Sequence, residues 1–449
     1  MGLSQNLAEM ERTRESYWRA YPKTSPAKLR WRAITVRHCF HVIPGASILE
    51  IGAGSGLWTQ HLAAVLRGEN PITAAVFNEA FLPTARALEL PATEFVKVSD
   101  LITDLREASF DYVIGTAILC HNLYAENLKA IYRLLKPGGQ LLFFEANYWN
   151  PQVFLKTAVR PIGQLAGHAS CQIGMRKYEL MKSASHQGFT HVEVIPYDII
   201  HPLTPRFLIK WVRATAFILE HIPVIREFCG TLYIWAKRPG NEEEQRSHVA
   251  LDTHASLAGS TSVVVPCHNE EMNIRPLVSA LLDLYGKYIL EIIFVNDNSH
   301  DRTAAVVREL SVENPRIRLV DRTPPNGVGR ALRDGYAAAR GQYILTMDCD
   351  FVQIVPEFRD LFDAVAAGRD GAIGSRFSHE SVLINYPVVK ILANRGFHLL
   401  LNLLLGKRVR DISNNLKLLR SDILKNICIE EPHFAANVEM TWLDFVSQS

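Results

Sequence analysis

The sequence predicts an α/β protein made of two open, mainly parallel sheets in series, and three observations predict it. Short apolar runs alternate with helical patterns along most of the chain, the arrangement that strand–helix–strand units produce. Two segments have the form of a first strand and its turn: "SILEIGAGSGLWTQHLAAVL", from Ser47, and "TSVVVPCHNEEMNIRPLVSALL", from Thr261. Between them lies "AKRPGNEEEQRSHVALDTHASLAGS", which is polar, rich in charge and small residues, and without sustained periodicity. That is a linker composition. The expected organisation is a domain over residues 1–240, a linker over 241–260 and a second domain over 261–449.

The size supports the division, since 449 residues make two or three domains of ~100–200 residues each. The formal net charge of +2 provides no global basic field, so nucleic acid is not an expected partner and phosphate must be held by local patches. Seven cysteines stand without any CxxC or CxxH spacing, which points away from a zinc site or a disulfide framework and toward a reducing compartment. The N-terminal stretch "MGLSQNLAEMERTRESYWRAYP" lacks the apolar core of a secretion signal. The longest apolar runs, such as "FHLLLNLLLG", fall short of the ~20 residues that span a bilayer. The expected location is cytoplasmic, with contact at the membrane surface left open.

In the N-terminal half, "ILEIGAGSG" is an apolar strand ending in Gly52, Gly54 and Gly56, followed by a helical pattern. Glycines at such a turn let a ligand approach the backbone, and the helix start behind them offers free N–H groups. An ordinary tight turn and a dinucleotide-binding turn share this form. The next landmarks narrow the choice: "EFVKVSD", a strand ending in Asp100; "SFDYVIGTAIL", a buried strand; and "IYRLLKPGGQLLFFEAN", a helix, a Pro-Gly-Gly turn and another apolar strand. Residues 148–205 read as a substrate-side insertion, and "GFTHVEVIPYD" and "GTLYIWAKRP" as the closing antiparallel strands of the same sheet.

In this order the segments resemble the class I S-adenosylmethionine-dependent methyltransferases over roughly residues 45 to 147. The resemblance implies that Glu50 and Gly52 to Gly56 surround the methionine end of S-adenosyl-L-methionine and that Asp100 accepts from the adenine amino group. The ribose-binding acid expected after the second strand falls at Asn78 or Glu79. His121, after the fourth strand, is either a base toward the methyl acceptor or a packing residue.

In the C-terminal half, "SVVVPCHNEE" ends a buried strand at Pro266 and a turn with Asn269, Glu270 and Glu271, and "YILEIIFVNDNSHDRT" ends another at Asp297. Ligands bind at the carboxyl ends of strands in an open parallel sheet, so polar residues at both ends suggest a nucleotide site; two solvated helix caps are the alternative. "YILTMDCDF" then places Asp348 and Asp350 together where an apolar strand runs out. Crowded carboxylates repel, and a hard cation with oxygen ligands, Mg²⁺ or Mn²⁺ on a diphosphate, offsets that cost.

Five motifs, "VVVPCHNEE", "FVNDNSHDRT", "NGVGRALRDGYAAARGQYILTMDCDF", "GAIGSRF" and "RDISNNLKLLR", resemble in order and spacing the family 2 glycosyltransferases, and within them the dolichol-phosphate or polyprenyl-phosphate mannose synthase branch. The likeness runs from about residue 261 to 425. Together the two resemblances imply Rossmann-like domains in tandem, a class I methyltransferase fold and then a GT-A fold. By the second, Pro266, Glu270 and Asp297 hold the base and ribose of a nucleotide-sugar. Asp348, Asp350 and Gln353 hold the metal, Arg376 faces a phosphate, Lys390 and Arg395 meet the acceptor, and Asp411 stands by as a catalytic carboxylate.

Several positions depart from the family's pattern. Asn296 stands in a usual aspartate pair, Gln353 falls one position late, Asn394 replaces a serine, and Asn414 and Asn415 follow Ser413 where glycine and an aromatic are usual. The chain also ends before the family's closing strand. The expected function is bifunctional: methyl transfer from S-adenosylmethionine to an unspecified acceptor, and inverting transfer from a GDP-mannose- or UDP-glucose-type donor to a polyprenyl phosphate or glycan. The alternatives are a binding or scaffold protein with one or both sites degenerate, and a nicotinamide dehydrogenase in the first half. The run at residues 397–406 followed by "GKRVR" has the form of a helix that lies on an anionic bilayer or of a core helix ending in cations.

Overall fold

A computed structural model describes residues 3–98, 105–119, 124–158, 174–209, 211–212, 218–240, 250–251, 253–376, 378, 381–382, 387–405, 411, 413–427, 429–433 and 435–440. The chain forms two compact units, residues 1–247 with 382–391, and residues 248–381 with 392–449. Asp100 and His121 lie outside the described residues.

The first unit has seven strands: β1 Ile48–Ile51, β2 Ile72–Val76, β3 Thr93–Lys97, β4 Phe110–Thr116, β5 Leu135–Ala146, β6 Thr190–Tyr197 and β7 Thr231–Lys237. Their order is β3-β2-β1-β4-β5-β7-β6. The first five are parallel, and β7 runs antiparallel beside β5 with Phe143 opposite Ile234, as the two closing strands were expected to do. Alternating residues feed two cores, Leu49, Ile51, Val113 and Phe143 on one face and Ile48, Tyr112, Ile114 and Leu142 on the other. A sheet buried on both faces needs such continuous apolar strands.

One local expectation is corrected. The "KPGG" turn does not precede β5 but is taken into it, with the β4 register jumping between Phe110 and Tyr112 and Gly138 at φ 77°. The extra residues form a bulge, which glycine at positive φ accommodates.

The second unit has six strands: β8 Thr261–Cys267, β9 Ile289–Asn296, β10 Ile317–Asp321, β11 Tyr343–Thr346, β12 Gly371–Ile373 and β13 Lys417–Arg420. Their order is β10-β9-β8-β11-β13-β12. β8 to β11 are parallel; β13 runs antiparallel to both β11 and β12. The edge strand β10, which the sequence reading did not separate, lies between "FVND" and "MDCD" in the chain. Tyr285 stacks on Phe362 with ring centroids 5.0 Å apart, and its hydroxyl donates to Val355 O at 2.9 Å, fixing the helix Glu271–Tyr285 under the loop after β11. Leu251 and Leu257 are buried, so the described residues just ahead of β8 pack on this unit.

Candidate functional site

Each sheet gathers its unusual polar residues at the carboxyl ends of its parallel strands. In the first unit the chain leaves β1 through Gly52, Gly54 and Gly56, with φ of 75°, 58° and 83°. Only glycine adopts such angles at little cost. Glu50, the third residue of β1, is 1% exposed. Its Oε2 has no hydrogen-bond partner among the described residues, and burial pushes its pKa up to about 7, opposed by the Thr59 hydroxyl and the Arg14 charge and reinforced by Glu11. A buried carboxyl with one unpartnered oxygen beside a glycine turn fits the cationic end of an adenosyl-amino acid.

The residues expected at the ribose divide. Asn78 turns its oxygen back to Ala80 N at 3.1 Å, capping the short helical turn Glu79–Phe81, and Glu79 is exposed. The carboxylate that does meet the end of β2 comes from elsewhere. Glu11, on the helix Leu3–Ala20, accepts from Gly54 N at 2.9 Å, Phe77 N at 3.1 Å and Asn78 N at 2.6 Å. Sequence reading passed over it. The available signal was helical spacing: Leu7, Met10, Glu11, Arg14, Glu15 and Trp18 form one stripe, and all six are buried.

In the second unit, β11 ends at Thr346 and Asp348 lies two residues beyond it. Cys349 is buried, as is Cys267 at the end of β8, so the residue between the aspartates is the one that packs inward. Asp350 is exposed at the start of the helical turn Phe351–Phe358, on which Gln353 is also exposed. Asp348 Oδ1 accepts from Asn415 Nδ2 at 2.6 Å. Burial raises the Asp348 pKa, the Asn415 bond opposes it, and the charges of Asp350 and Glu270 raise it further.

Asn415 Oδ1 is itself buried without a hydrogen-bond partner among the described residues. Asp348 thus feels the charges of Asp350 and Glu270 and lies next to an orphaned amide oxygen, the residue types from which hard divalent ions take ligands. Among the described residues, no three histidine, cysteine or acidic side chains converge as a ready-made metal cluster.

Glu270 begins the helix Glu271–Tyr285, its N–H donating to Thr303 Oγ1 at 2.8 Å and its Oε2 accepting from Asn273 at 2.7 Å. Pro266 is half-buried near the end of β8. Asp297 is buried, with one oxygen on Arg322 Nη1 and the other accepting from Gly327 N at 2.7 Å, so it ties the end of β9 to the loop before the helix Val328–Ala338. Asn296 donates to Asp321 at 2.7 Å.

Arg376, past the end of β12, pairs with Asp411, ahead of β13. Its Nη2 donates to Asp411 Oδ1 at 2.8 Å, and its Nε and backbone N–H donate to Oδ2 at 2.9 and 2.8 Å. Both oxygens of Asp411 are thus engaged by Arg376. Lys390 and Arg395 lie on the helix Val388–Leu405. Five residues apart, they point about 140° away from each other round the helix. Burial lowers the Arg395 pKa. On the same helix Val389, Leu392, Leu399, Leu400 and Leu403 are exposed.

Two doubly wound sheets, one with a glycine turn and a buried acid after its first strand and one with clustered acids after its fourth, define a pair of group-transfer domains. Residues 49–143 match a methyltransferase domain family and residues 262–428 match Glycosyl transferase family 2. The chain thus joins a methyltransferase domain to a family 2 glycosyltransferase domain.

Among curated proteins it is similar to the polyprenol monophosphomannose synthase of Mycolicibacterium smegmatis, 29% identical over 40% of this chain and 71% of that one. It is also similar to the dolichol-phosphate mannosyltransferase of Pyrococcus furiosus, 31% identical over 34% of this chain and 43% of that one. The chain thus spans less than half of the second relative's length. Among solved structures, a SAM-dependent methyltransferase of Thermotoga maritima is 18% identical, with a TM-score of 0.36, covering 51% of this chain and 98% of that one. No helix among the described residues is long and apolar enough to cross a membrane.

Proposed function

We propose that the chain is a bifunctional transferase. Its C-terminal unit transfers a sugar from a nucleotide-sugar, of the GDP-mannose or UDP-glucose type, to a polyprenyl phosphate, and its N-terminal unit methylates an acceptor with S-adenosyl-L-methionine. The observation that carries the sugar-transfer reading is the acidic group around Asp348, with Asp350 and Glu270 raising its pKa at the mouth of a family 2 domain. Relatives named for mannosyl transfer to polyprenol and dolichol phosphates support the lipid acceptor.

Asp348, Asp350 and Gln353 would hold Mg²⁺ or Mn²⁺, which when bound neutralises charge on a leaving diphosphate. Pro266, Glu270 and Asp297 line the nucleotide side, Asp297 by fixing the loop at Gly327. Arg376, held in orientation by Asp411, would face a phosphate. The acceptor phosphate oxygen attacks the anomeric carbon as the bond to the diphosphate breaks. It is already anionic, so no general base is required. Lys390 and Arg395 serve the acceptor, and the exposed leucines of their helix give a membrane-surface contact.

In the N-terminal unit, Glu50, the turn Gly52–Gly56, Glu79 and Asp100 would hold the adenosyl cofactor. Methyl transfer from a sulfonium depends mainly on positioning. A second reading, in which this unit binds no cofactor, draws on the filling of the β1 turn by Glu11 and Arg14.

The test is a screen of radiolabelled GDP- and UDP-sugars against a short polyprenyl phosphate with Mn²⁺, alongside calorimetric titration with S-adenosylhomocysteine. Label entering the lipid fraction from the wild-type protein and not from Asp348→Asn supports the first activity. Silence with every donor removes it. Saturable heat with S-adenosylhomocysteine supports the second activity, and its absence favours the reading without a cofactor.

A further inference from the structure

In an open α/β sheet the ligand crevice opens at the carboxyl edge where strand order reverses. In the first unit that point lies between β1 and β4. The helix Leu3–Ala20 fills it. Arg14 bridges the two strand ends, with Nη1 donating to Thr116 O at 2.5 Å and Nη2 to Gly52 O. Glu11 bridges the β1 turn and the end of β2 through Gly54, Phe77 and Asn78 N–H groups. Glu15 accepts from Ser55 Oγ, and Arg19 donates to the same hydroxyl at 3.0 Å.

The fit leaves no intervening layer. A Cβ built on Gly54 would stand 3.0 Å from Glu15 Oε2, and one on Gly52 3.0 Å from Arg14 Nη1.

The composition of this helix face is not that of a packing element. Leu7 and Met10 anchor one end in the core and Trp18 the other. The centre carries three ionisable side chains, Glu11, Arg14 and Glu15, at 0%, 9% and 5% exposure. Burying such groups is costly unless each is matched, and here the matches are mostly backbone groups of the glycine turn and neighbouring strand ends. A carboxylate and a cation presented together to that turn are the same pair of charges that the amino-acid end of an adenosyl-amino acid carries.

We propose that the helix Leu3–Ala20 is an internal gate on the methyltransferase crevice, its Glu11–Arg14–Glu15 face occupying the turn as a stand-in for the adenosyl cofactor, which enters only as that face withdraws. The inference rests on the reading of this unit as an S-adenosylmethionine site. It assigns to the N-terminal helix a role that the family match, which begins at residue 49, does not cover.

The experiment uses the full chain, wild type and Glu11→Gln, with S-adenosylhomocysteine as the probe. Glutamine keeps the shape of Glu11 but replaces one acceptor oxygen by a donor facing the N–H groups of Phe77 and Asn78. The gate predicts at least tenfold tighter binding by Glu11→Gln, because a larger fraction of that protein is open. It also predicts that amides of residues 7–18, protected from hydrogen exchange in the free wild-type protein, lose protection when the probe saturates it.

Binding by the wild type with those amides still protected, or weaker binding by Glu11→Gln, overturns the gate and leaves the cofactor reading standing. No binding by either protein, with exchange unchanged, removes the cofactor reading and the gate with it. Should Glu11→Gln fold poorly, the exchange measurement on the wild type decides alone.

Discussion

Asn415 donates to Asp348 across 2.6 Å, although 67 residues separate them in the chain. The contact exists because β13 runs antiparallel to β11, so the residues entering β13 arrive at the edge where β11 ends. A residue that departs from the expected family pattern therefore sits directly on the first of the paired aspartates.

The Asp348 carboxyl is raised above its ordinary value, mainly by burial and then by Asp350 and Glu270. For an acid raised in the folded state the sign is unfavourable: stability falls as pH rises from about 3.8 through the folded pKa, and the cost is fully present above it. A cation bound there offsets that cost. Mn²⁺ at about 100 times its Kd should stabilise the wild type by about 2.7 kcal/mol. Asp348→Asn should be at least as stable as the wild type in chelator, gain nothing from Mn²⁺ and lose sugar transfer; thermal melts with and without the ion check this.

The Arg376–Asp411 pair predicts an asymmetry. The Asp411 side chain is fully buried, whereas that of Arg376 is 37% exposed. Arg376→Ala strands a buried charge and should cost about 3 kcal/mol or more, while Asp411→Ala leaves a cation that can turn to water and should cost less. Urea unfolding of both variants measures the difference. Asp411→Asn should also raise the donor KM if Asp411 acts through Arg376.

Glu50, with its pKa raised to about 7, behaves like Asp348 in sign. Stability should decline between pH 4.5 and 7 and carry the full penalty above 7. Glu50→Gln should flatten that window and be more stable at pH 8 by on the order of 2 kcal/mol, while weakening the cofactor. Denaturant melts across pH, paired with titration of S-adenosylhomocysteine, give both readouts.

Glu291 has the opposite sign. Burial raises its pKa, but Arg340 at 2.8 Å, Arg318 at 2.6 Å and Ser262 outweigh burial and bring it down to about 2. Its contribution is fully present above pH 4.5 and is lost as pH falls through about 2. Glu291→Gln should cost about 2 kcal/mol at pH 7 and remove the acid dependence in that interval, as acid titration of stability would reveal.

The central strands were legible because buried parallel strands leave little choice of residue, and the turns after them because glycine or clustered acid marks their carboxyl ends, whereas the half-exposed edge strand β10 carries no such signal. Paired acids at Asp348 and Asp350 could be read from local crowding alone. What could not be read were partners set by topology. Asn415 reaches Asp348 only through the antiparallel return, and Asp297 meets Gly327 only once β9 and the following loop are placed. Glu11 was legible in principle, since its helical stripe is plain in the sequence, but its target lies 43 residues away. The bulge at "KPGG" was missed because Pro-Gly-Gly ordinarily breaks a strand.

The pairing of Ile373 with Lys417 brings the end of β12 back beside the start of β13, and Arg376 and Asp411 join the two departures. Loss of that pair would free the ends of two neighbouring strands at once, so damage at the arginine reaches the edge of the sheet itself.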